Sequence, residues 1–386
     1  MWINNVYLKN FRNYPELDIT LTSGANLFIG KNAQGKSNFL ESIELLSLGK
    51  SSRQVSDLDL ISHNQNSMQA ETNFQNDYNL ENLKICYEKH SNNKVNKSYF
   101  INGKAYKTRK PVLGRLLTVS FKSQDLQLSQ NAPKFRRDWL DNLACLISKA
   151  YLEIYNNYEK IIAQKNSLLR NNFNSNLVSF NDSLDVYNQQ IAQHGAKLIK
   201  FRLKTLDRIN QYAQITLVNI SSANDNLIID YLRKSNNESS KNNLSYLNSV
   251  SQDEFANLLY NDMQTSKALE ILRKQSLIGP HRDDLEFIIN NQPAKGFASQ
   301  GQHRSLILAL KLAELQLLED KFSQKPVLLL DDVLAELDEN RQAELISRIY
   351  QSCQTIITTV NISYLPKNLF KEAFVFDVNN GHITKS

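Results

Sequence analysis

The sequence predicts an α/β protein of two lobes, with a mainly helical lobe inserted into a lobe that contains most of the strands. Three observations lead to this prediction. The chain has 386 residues, and one hydrophobic core usually stops growing at roughly 250 to 300 residues. Strand patterns occur towards both ends of the chain, whereas the middle has apolar residues at every third or fourth position, as in helices. We therefore expect one lobe from residues 1–133 and 276–386 and an inserted lobe from residues 134–275.

The composition is typical of a globular protein, with 41% hydrophobic and 22% charged residues. The N-terminal residues have no basic segment followed by an apolar run, so we expect no signal peptide. No run of about 18 apolar residues is present that could cross a bilayer. Cys86, Cys145 and Cys353 are isolated from one another, which argues against a disulfide framework or a zinc site. These features favour a cytoplasmic location.

The first lobe opens with two short strands, VYLKNF and LDITL, joined by a turn at residues 12–15. A third strand, ANLFIG, leads into a glycine-containing loop and a helix from Ser37 to Leu48. Residues 80–121 alternate again, and Asn102-Gly103 predicts a tight hairpin turn. The order strand, glycine loop and helix is that of a phosphate-binding unit in an α/β sheet.

The predicted hairpin region carries an unusual concentration of positive charge. The formal net charge of the chain is +6, and eight basic residues and no acidic ones lie between Lys89 and Arg115. They are candidates for sequence-independent contact with a nucleic-acid backbone, and a solvated hairpin face is the alternative. We select six of them as candidate DNA-binding residues: Lys94, Lys97, Lys104, Lys107, Arg109 and Lys110.

Helical spacing of apolar residues dominates the predicted inserted lobe. It runs from Phe135 to Ile162, resumes around residues 184–209 after a polar break at 171–175, and returns at residues 254–272. A short strand, LIIDYL, lies between the last two segments. After Gly279 the α/β pattern returns, with the strand EFIINN, a long helix at residues 302–318, the strand PVLLL, another helix and the strand TIITTV. We therefore expect the two ends of the chain to share one sheet.

A phosphate-binding motif, GxxxxGK[ST], follows the third strand and precedes a helix, which is the context that this motif requires. Backbone N–H groups of the loop and the positive end of the helix are expected to surround the β-phosphate of ATP. The Lys36 ammonium is expected to neutralise the β and γ oxygens, and the Ser37 hydroxyl to hold Mg²⁺. The motif consists of Gly30, Lys31, Asn32, Ala33, Gln34, Gly35, Lys36 and Ser37.

Two carboxylates end the apolar strand VLLLDD, where a magnesium ligand would emerge from a buried sheet. We expect Asp331 to bind Mg²⁺ directly or through water, and Asp332 to orient or deprotonate the attacking water. The alternative is an acidic helix start, where carboxylates interact favourably with the helix dipole.

A serine and glycine turn precedes the long helix near residue 302, about 30 residues before the acidic strand. This is the order of the signature loop and the Walker B strand in ABC-type ATPases, where the signature loop contacts the γ-phosphate held by a second subunit. Read alone, the serine is simply a helix cap. Residues 335–338 fall where the D-loop of such ATPases lies. The candidate signature residues are Ser299, Gln300, Gly301 and Gln302.

These motifs together resemble the RecF family, which belongs to the ABC group of ATPases related to SMC proteins. The resemblance spans nearly the whole chain through the blocks LKNFRNY, GKNAQGKSNFLESI, FKSQDLQLSQNAPKFRRDWLD, SLIGPHRDDLEF, FASQGQHRSLILALKLAEL and LLLDDVLAELD. It implies an ABC-type, SMC-like P-loop ATPase lobe with ATP and Mg²⁺ as cofactors. It also implies an ATP-dependent homodimer on single- or double-stranded DNA and slow, DNA-dependent hydrolysis. The further implications are recombinational repair, replication-fork maintenance and the SOS response, with RecR and RecO as partners in loading RecA.

The resemblance also implies roles for individual residues. Arg12 is expected near the phosphates, with a surface arginine as the alternative. The family pattern FxPEDL reads FKSQDL here, so either Gln124 or Asp125 is expected to contact magnesium. In the segment GPHRDD, a structural pair between Arg282 and Asp283 or Asp284 and a catalytic role are both open. The switch position of ABC-type ATPases falls near Thr358. It has no histidine in this chain, which is consistent with slow turnover.

Two other classes of function share these motifs, and the sequence argues against both. An SMC-like tethering ATPase needs long coiled-coil arms, and the 261 residues between Ser37 and Ser299 are too few for them. A transporter ATPase subunit predicts an LSGGQ-type signature and a histidine switch, whereas this chain has SQGQ and no such histidine. The leading hypothesis is therefore an ATP-controlled dimer that clamps DNA.

Overall fold

The computed structural model describes residues 1–53, 55–90, 94–171, 177–220, 225–235, 244–334, 338, 341–342, 345, 353–361 and 373–386. These residues form two compact units, Met1–Leu126 with Ile307–Ser386 and Gln127–Leu306. The limits of the insertion at residues 134 and 275 stay a prediction. In the part of the chain that the structure describes, no helix is long and apolar enough to cross a membrane.

An antiparallel sheet of six strands contains the N-terminal strand pair and the predicted hairpin region. Its strands, numbered along the chain, are β1 (Trp2–Phe11), β2 (Tyr14–Thr20), β4 (Ser67–Gln75), β5 (Leu80–Lys89), β6 (Val95–Ile101) and β7 (Lys104–Tyr106). They lie in the order β2-β1-β4-β5-β6-β7. In β4 and β5, buried and more exposed residues alternate, so one face of the sheet packs on the core. Asn102 and Gly103 both have positive φ between β6 and β7, which confirms the predicted turn.

A mixed sheet in the same unit joins strands from the two ends of the chain. They are β3 (Ala25–Ile29), β8 (Thr118–Lys122), β12 (Val327–Asp331), β13 (Thr355–Thr359), β14 (Phe374–Asn379) and β15 (His382–Lys385). The order is β15-β14-β3-β13-β12-β8, and only the pair β14–β15 is antiparallel. Residues 327–330 are buried, as expected for a strand covered on both faces. The prediction that the two chain ends share one sheet is confirmed.

One buried glutamine side chain links the two sheets of this unit. The Gln354 amide oxygen accepts from the backbone N–H of Ile3 at 2.7 Å, and its Nε2 donates to the carbonyls of Ile3 at 2.8 Å and Thr22 at 2.7 Å. Helix α1 (Lys36–Leu48) follows β3 and buries Phe39, Leu40 and Ile43 in the core of the unit. These contacts place the start of α1 at the carboxyl end of the parallel strands.

The second unit contains most of the described helices. They are α2 (Gln127–Gln130), α3 (Pro133–Ile147), α4 (Lys149–Arg170), α5 (Leu177–Ile220), α6 (Leu244–Ser249) and α7 (Gln252–Arg273). Helices are thus present at each of the three segments with helical spacing. The predicted break at residues 171–175 lies mostly outside the described residues. Tyr151 and Tyr158 are fully buried in this unit.

A small sheet in this unit leads to the long helix predicted near residue 302. Strands β9 (Leu227–Leu232), β10 (Asp284–Ile289) and β11 (Gln292–Pro293) lie in the order β11-β10-β9. They are followed by a short turn labelled α8 (Ala294–Phe297) and by α9 (Gln300–Phe322). The helix predicted after β12 and most of the D-loop, residues 335–337, lie outside the described residues.

Candidate nucleotide site

The loop between β3 and α1 is held close to neighbouring backbone. The Gly30 N–H donates to the Thr359 carbonyl at 3.3 Å, and a Cβ at Gly30 would lie 2.3 Å from the Val378 oxygen. Gly35, with φ of 119°, precedes α1, and no side chain caps the start of that helix. A helix N-terminus without a side-chain cap leaves N–H groups for an anion. The loop therefore leads into a helix start whose backbone N–H groups could face an anion.

Residues outside the motif donate hydrogen bonds to the backbone carbonyl groups of this loop. The Tyr14 hydroxyl donates to the Gly35 carbonyl at 3.0 Å, and the Asn13 amide donates to the Gln34 carbonyl at 3.1 Å. The Gly381 N–H donates to the same Gln34 oxygen at 3.0 Å. The sequence did not predict these hydrogen bonds, because the donor residues are far from the motif in the sequence or belong to no recognisable pattern.

The structure brings together three of the predicted phosphate and metal residues. The Ser37 hydroxyl donates to Asp331 Oδ1 at 2.8 Å, although the two residues are 294 positions apart. The Lys36 ammonium is almost completely buried and donates to the carbonyls of Gly30 at 2.6 Å and Lys31 at 3.1 Å. A lysine, a hydroxyl and a carboxylate thus lie at one edge of the mixed sheet.

Thr358, which lies near the switch position, makes a contact at the site that the sequence did not predict. It lies directly opposite Asp331 in the β12–β13 register, and its hydroxyl donates to Asp331 Oδ1 at 2.8 Å. The Asp332 N–H donates to the Thr358 carbonyl at 3.2 Å, and Asp332 has a positive φ of 56°. Threonine is common in strands because its side chain is β-branched, so its position in TIITTV gave no sign of this contact.

The oxygen donors at this edge fit a magnesium ion. Mg²⁺ prefers oxygen ligands and is usually bound by one or two carboxylates together with phosphates and water. Ser37 Oγ and Asp331 Oδ1 supply a hydroxyl and a carboxylate oxygen within 2.8 Å of each other. The described residues contain no cluster of three His, Cys, Asp or Glu side chains that could hold a metal. A hydroxyl and one carboxylate oxygen suit a magnesium ion whose other ligands are phosphate and water.

Arg12 is fixed beside α1 by a buried carboxylate. Its Nε and Nη2 donate to the two oxygens of Glu41 at 3.1 and 2.9 Å, and its Nη1 donates to the Asp59 carbonyl at 3.0 Å. Glu41 also pairs with Arg53 at 3.2 Å, and Arg53 donates to the Ser37 carbonyl at 3.0 Å. Glu41 thus connects Arg12 to the first turns of α1, and a contact of Arg12 with phosphate stays a prediction.

Gln124 and Asp125 follow β8, whose last residue lies opposite Asp331. The Asp125 carboxylate accepts from the Lys122 N–H at 2.8 Å and pairs with Lys311 at 3.7 Å. Burial raises the pKa of Asp125, and the Lys311 charge partly offsets this effect. The Gln124 side chain is exposed. The Asp125 oxygens are therefore engaged within the fold, whereas Gln124 is accessible to a ligand.

The candidate signature loop belongs to the other unit, and its serine caps α9. Ser299 Oγ accepts from the Gln302 N–H at 3.2 Å, and Gln302 Oε1 accepts from the Ser299 N–H at 3.0 Å. This reciprocal pair is a capping box. Gln302 Nε2 also donates to Asp225 at 3.3 Å. Ser299 and Gln300 are exposed and Gly301 is half-buried, so the cap holds the loop at the surface of its unit.

The residues of the basic run differ in their partners and in their exposure. Lys97 pairs with Asp57 at 2.7 Å, and Arg109 donates to the Leu48 carbonyl at 3.3 Å. Arg115, at the end of the run, pairs with Glu81 at 2.9 Å. The sequence could not show these acids, because both lie outside the run. Of the six candidates, Lys94, Lys104 and Lys107 are exposed, whereas Lys97, Arg109 and Lys110 are half-buried.

In the GPHRDD segment, Arg282 pairs with neither Asp283 nor Asp284, which contradicts the structural alternative that the sequence left open. Arg282 donates to the Ser276 carbonyl at 3.0 and 2.7 Å. Asp283 accepts from the Tyr231 hydroxyl at 2.7 Å, and the two Asp284 oxygens accept from Nε and Nη2 of Arg136. Each carboxylate thus has a partner distant in the sequence, which no local pattern indicates.

Burial shifts two titratable groups in this segment. It lowers the pKa of His281 to about 3, with nearby cations acting in the same direction, and raises the pKa of Asp283 to about 6. The His281 Nδ1 lies 2.6 Å from the Tyr158 hydroxyl. The His281 side chain is therefore neutral in the folded unit at physiological pH.

Comparison with known proteins covers the whole length of the chain. The family model described as RecF/RecN/SMC N terminal domain matches residues 2–384. The DNA replication and repair protein RecF of Streptococcus gordonii is 36% identical over 383 residues, which are 99% of this chain and 100% of that protein.

Two solved structures show the same fold. A RecF structure with ATP, described as the recombination mediator protein of the RecFOR pathway, superposes with a TM-score of 0.87 at 30% identity. The alignment covers 100% of this chain and 97% of that chain. An Smc head domain bound to a part of ScpA from Pyrococcus furiosus gives a TM-score of 0.51 at 16% identity, over 100% of this chain and 96% of that one. This second likeness concerns the fold alone.

Proposed function

The chain belongs to the RecF family of DNA replication and repair proteins, within the RecF/RecN/SMC group, and from this premise we propose that it is an ATP-controlled DNA clamp. Two copies would hold two ATP molecules between the loop at Lys36 of one copy and the loop at Ser299 of the other. The observation that carries the proposal is the hydrogen bond between Ser37 and Asp331, because it unites the phosphate loop with the acidic strand.

In the proposed mechanism, each side chain of the nucleotide site has a separate task. Lys36 would move from the loop carbonyls to the β and γ oxygens, where its positive charge is needed. Ser37 and Asp331 would hold Mg²⁺, which supplies positive charge to the phosphates when it is bound. Gln124 would contribute a further contact, because the Asp125 carboxylate is already engaged. Asp332 would orient the water and accept its proton.

The DNA-binding part of the proposal rests on charge and on family membership. Lys94, Lys104 and Lys107 present exposed ammonium groups that suit a phosphate backbone rather than base edges. We propose that hydrolysis is slow and DNA-dependent and that it releases the clamp. The relatives' place in the RecFOR pathway supports RecR and RecO as partners and assistance in RecA loading as the role.

Binding to gapped DNA, measured by fluorescence anisotropy with and without ATP and Mg²⁺, tests the proposal. The wild type is expected to bind only with ATP, and Lys36→Arg and Ser299→Arg are expected to lose this binding. Ser251→Arg is a matched control, because Ser251 forms the same kind of capping box on α7. Binding that does not need ATP, or its retention in Ser299→Arg, would contradict the clamp.

A further inference from the structure

The turn that precedes the candidate signature loop presents an exposed aromatic side chain. Phe297 has 70% of its surface exposed, although it lies between the buried Ala294 and helix α9. Lys295 and Gly296 have non-helical backbone angles, and nothing lies within 4 Å of a Cβ built on Gly296. The turn therefore projects Phe297 away from its own unit.

The backbone around Phe297 is fixed on both sides. The Ala298 N–H donates to the Ala294 carbonyl at 3.0 Å, and Ala294 is 1% exposed. The Ser299 N–H donates to Gln302 within the capping box at 3.0 Å. The aromatic ring is therefore held on a defined turn, two residues before the serine that the proposed function places against ATP of a second copy.

An exposed apolar residue is common on protein surfaces and needs no explanation by itself. Leu272, for example, is 76% exposed near the end of α7. Phe297 differs because its turn continues directly into the surface that must face a partner. Aromatic side chains of this kind are enriched among the few residues that dominate binding energy at interfaces.

We propose that Phe297 is the apolar anchor by which a second copy of this chain is seated on the signature loop. This inference rests on the proposed function, because only an ATP-dependent dimer brings a second copy to Ser299. A dimer with two-fold symmetry contains every contact twice. Truncation of such an anchor costs on the order of 10-fold per contact, so the dimer is expected to weaken by on the order of 100-fold.

Analytical ultracentrifugation of the full chain with ATPγS and Mg²⁺ measures this effect as the dimer dissociation constant. Phe297→Ser is expected to weaken the dimer strongly, and Phe297→Leu, which keeps apolar bulk, to restore most of the affinity. Leu272→Ser is the matched control for loss of an exposed apolar side chain and is expected to behave as wild type. Binding of a fluorescent ATP analogue by the monomer is expected to be the same in all four proteins.

The outcomes separate this inference from the function on which it rests. If the wild type stays monomeric with ATPγS, both proposals are overturned. If the wild type forms a dimer and Phe297→Ser does so with the same dissociation constant, the anchor alone is overturned. A loss shared equally by Leu272→Ser would also overturn it, because the effect would then not depend on the turn.

Discussion

Asp331 accepts hydrogen bonds from two hydroxyl groups through the same oxygen. Ser37 and Thr358 both donate to Oδ1 at 2.8 Å, from α1 and from β13. Together they fix the orientation of the carboxylate at the edge of the sheet. The Thr358 hydroxyl is buried, so its contribution cannot be replaced by water without a rearrangement.

Thr358→Val keeps the side-chain shape and removes one of these donors. We expect a loss of about 1 kcal/mol of stability and a higher Mg²⁺ concentration for half-maximal ATP binding, because the carboxylate is less well oriented. Titration of ATP binding with Mg²⁺ measures the shift. Thr355→Val on the same strand is the control, since the Thr355 hydroxyl bonds to the Cys353 carbonyl instead. An equal Mg²⁺ requirement in both variants would contradict this role.

His281 predicts a sensitivity to acid. Its pKa is about 3 in the folded protein, against roughly 6.5 in an unfolded chain. Below pH 6.5 the unfolded state therefore binds a proton that the folded state does not, and stability falls as the pH falls. His281→Asn, whose amide oxygen can accept from Tyr158, removes this contribution.

The urea-unfolding midpoint at pH 7.5 and pH 5.0 measures the effect for both proteins. Wild type is expected to lose about 1 to 2 kcal/mol more than the variant between these values. The difference between the two proteins excludes the contribution of the carboxylates to the pH dependence, because we expect the carboxylates to titrate alike in both. Equal losses would show that the imidazole is not held neutral by the fold.

At the scale of elements, α9 begins with a cap that is itself supported by β9 and β10. Gln302 bonds to Ser299 and also to Asp225, and Asp225 accepts from the Asn290 amide at 2.7 Å. The strand ends thus hold the first turn of α9. A cap is worth about 1 kcal/mol, and this one also sets the position of the exposed loop.

Asp225→Leu is expected to loosen the start of α9, whereas Asp225→Asn keeps an acceptor oxygen and is expected to resemble wild type. Hydrogen–deuterium exchange of the peptide around residues 299–303 measures the change. Faster exchange in the leucine variant alone agrees with the support from Asp225. Equal exchange in all three proteins would show that Asp225 does not stabilise the first turn of α9.

The same elements show what a sequence can predict. The strand, loop and helix around Lys36 were predictable, because the glycine motif and the hydrophobic periodicity are local. Thr358, Tyr14 and Asp225 were not, because their roles depend on which strands and turns become neighbours. The wrong partner for Arg282 has the same cause, since adjacent opposite charges suggested a pair that the backbone does not form.

At the scale of the whole molecule, we expect the positive charge to contribute to DNA binding where it is exposed to solvent and not paired with a carboxylate. Lys104 and Lys107 are exposed at β7 and just beyond it, whereas Lys97 is neutralised by Asp57. Replacing Lys104 and Lys107 together by Ala is expected to weaken duplex binding equally for all sequences. The slope of log affinity against log salt is expected to fall by about 0.9 for each lost phosphate contact.

Lys97→Ala is the control for this prediction. It removes one lysine charge, compared with two in the double variant, and leaves Asp57 without this partner, and we expect little change in the salt slope. DNA binding measured at several salt concentrations distinguishes the two. A larger effect from Lys97→Ala than from the double variant would contradict the prediction that the exposed lysines contact DNA.

The neighbours of β3 have a consequence for how the protein is made. β3 precedes the phosphate loop, but the strands on either side of it are β13 and β14, and Ala25 pairs with Thr355. During translation the ribosome therefore releases the loop long before either neighbour exists, and contacts between such distant segments form slowly. A nascent chain cannot shape its ATP pocket until the strands beyond residue 355 have emerged. We therefore expect an unfinished copy to lack the two strands that position the loop between β3 and α1.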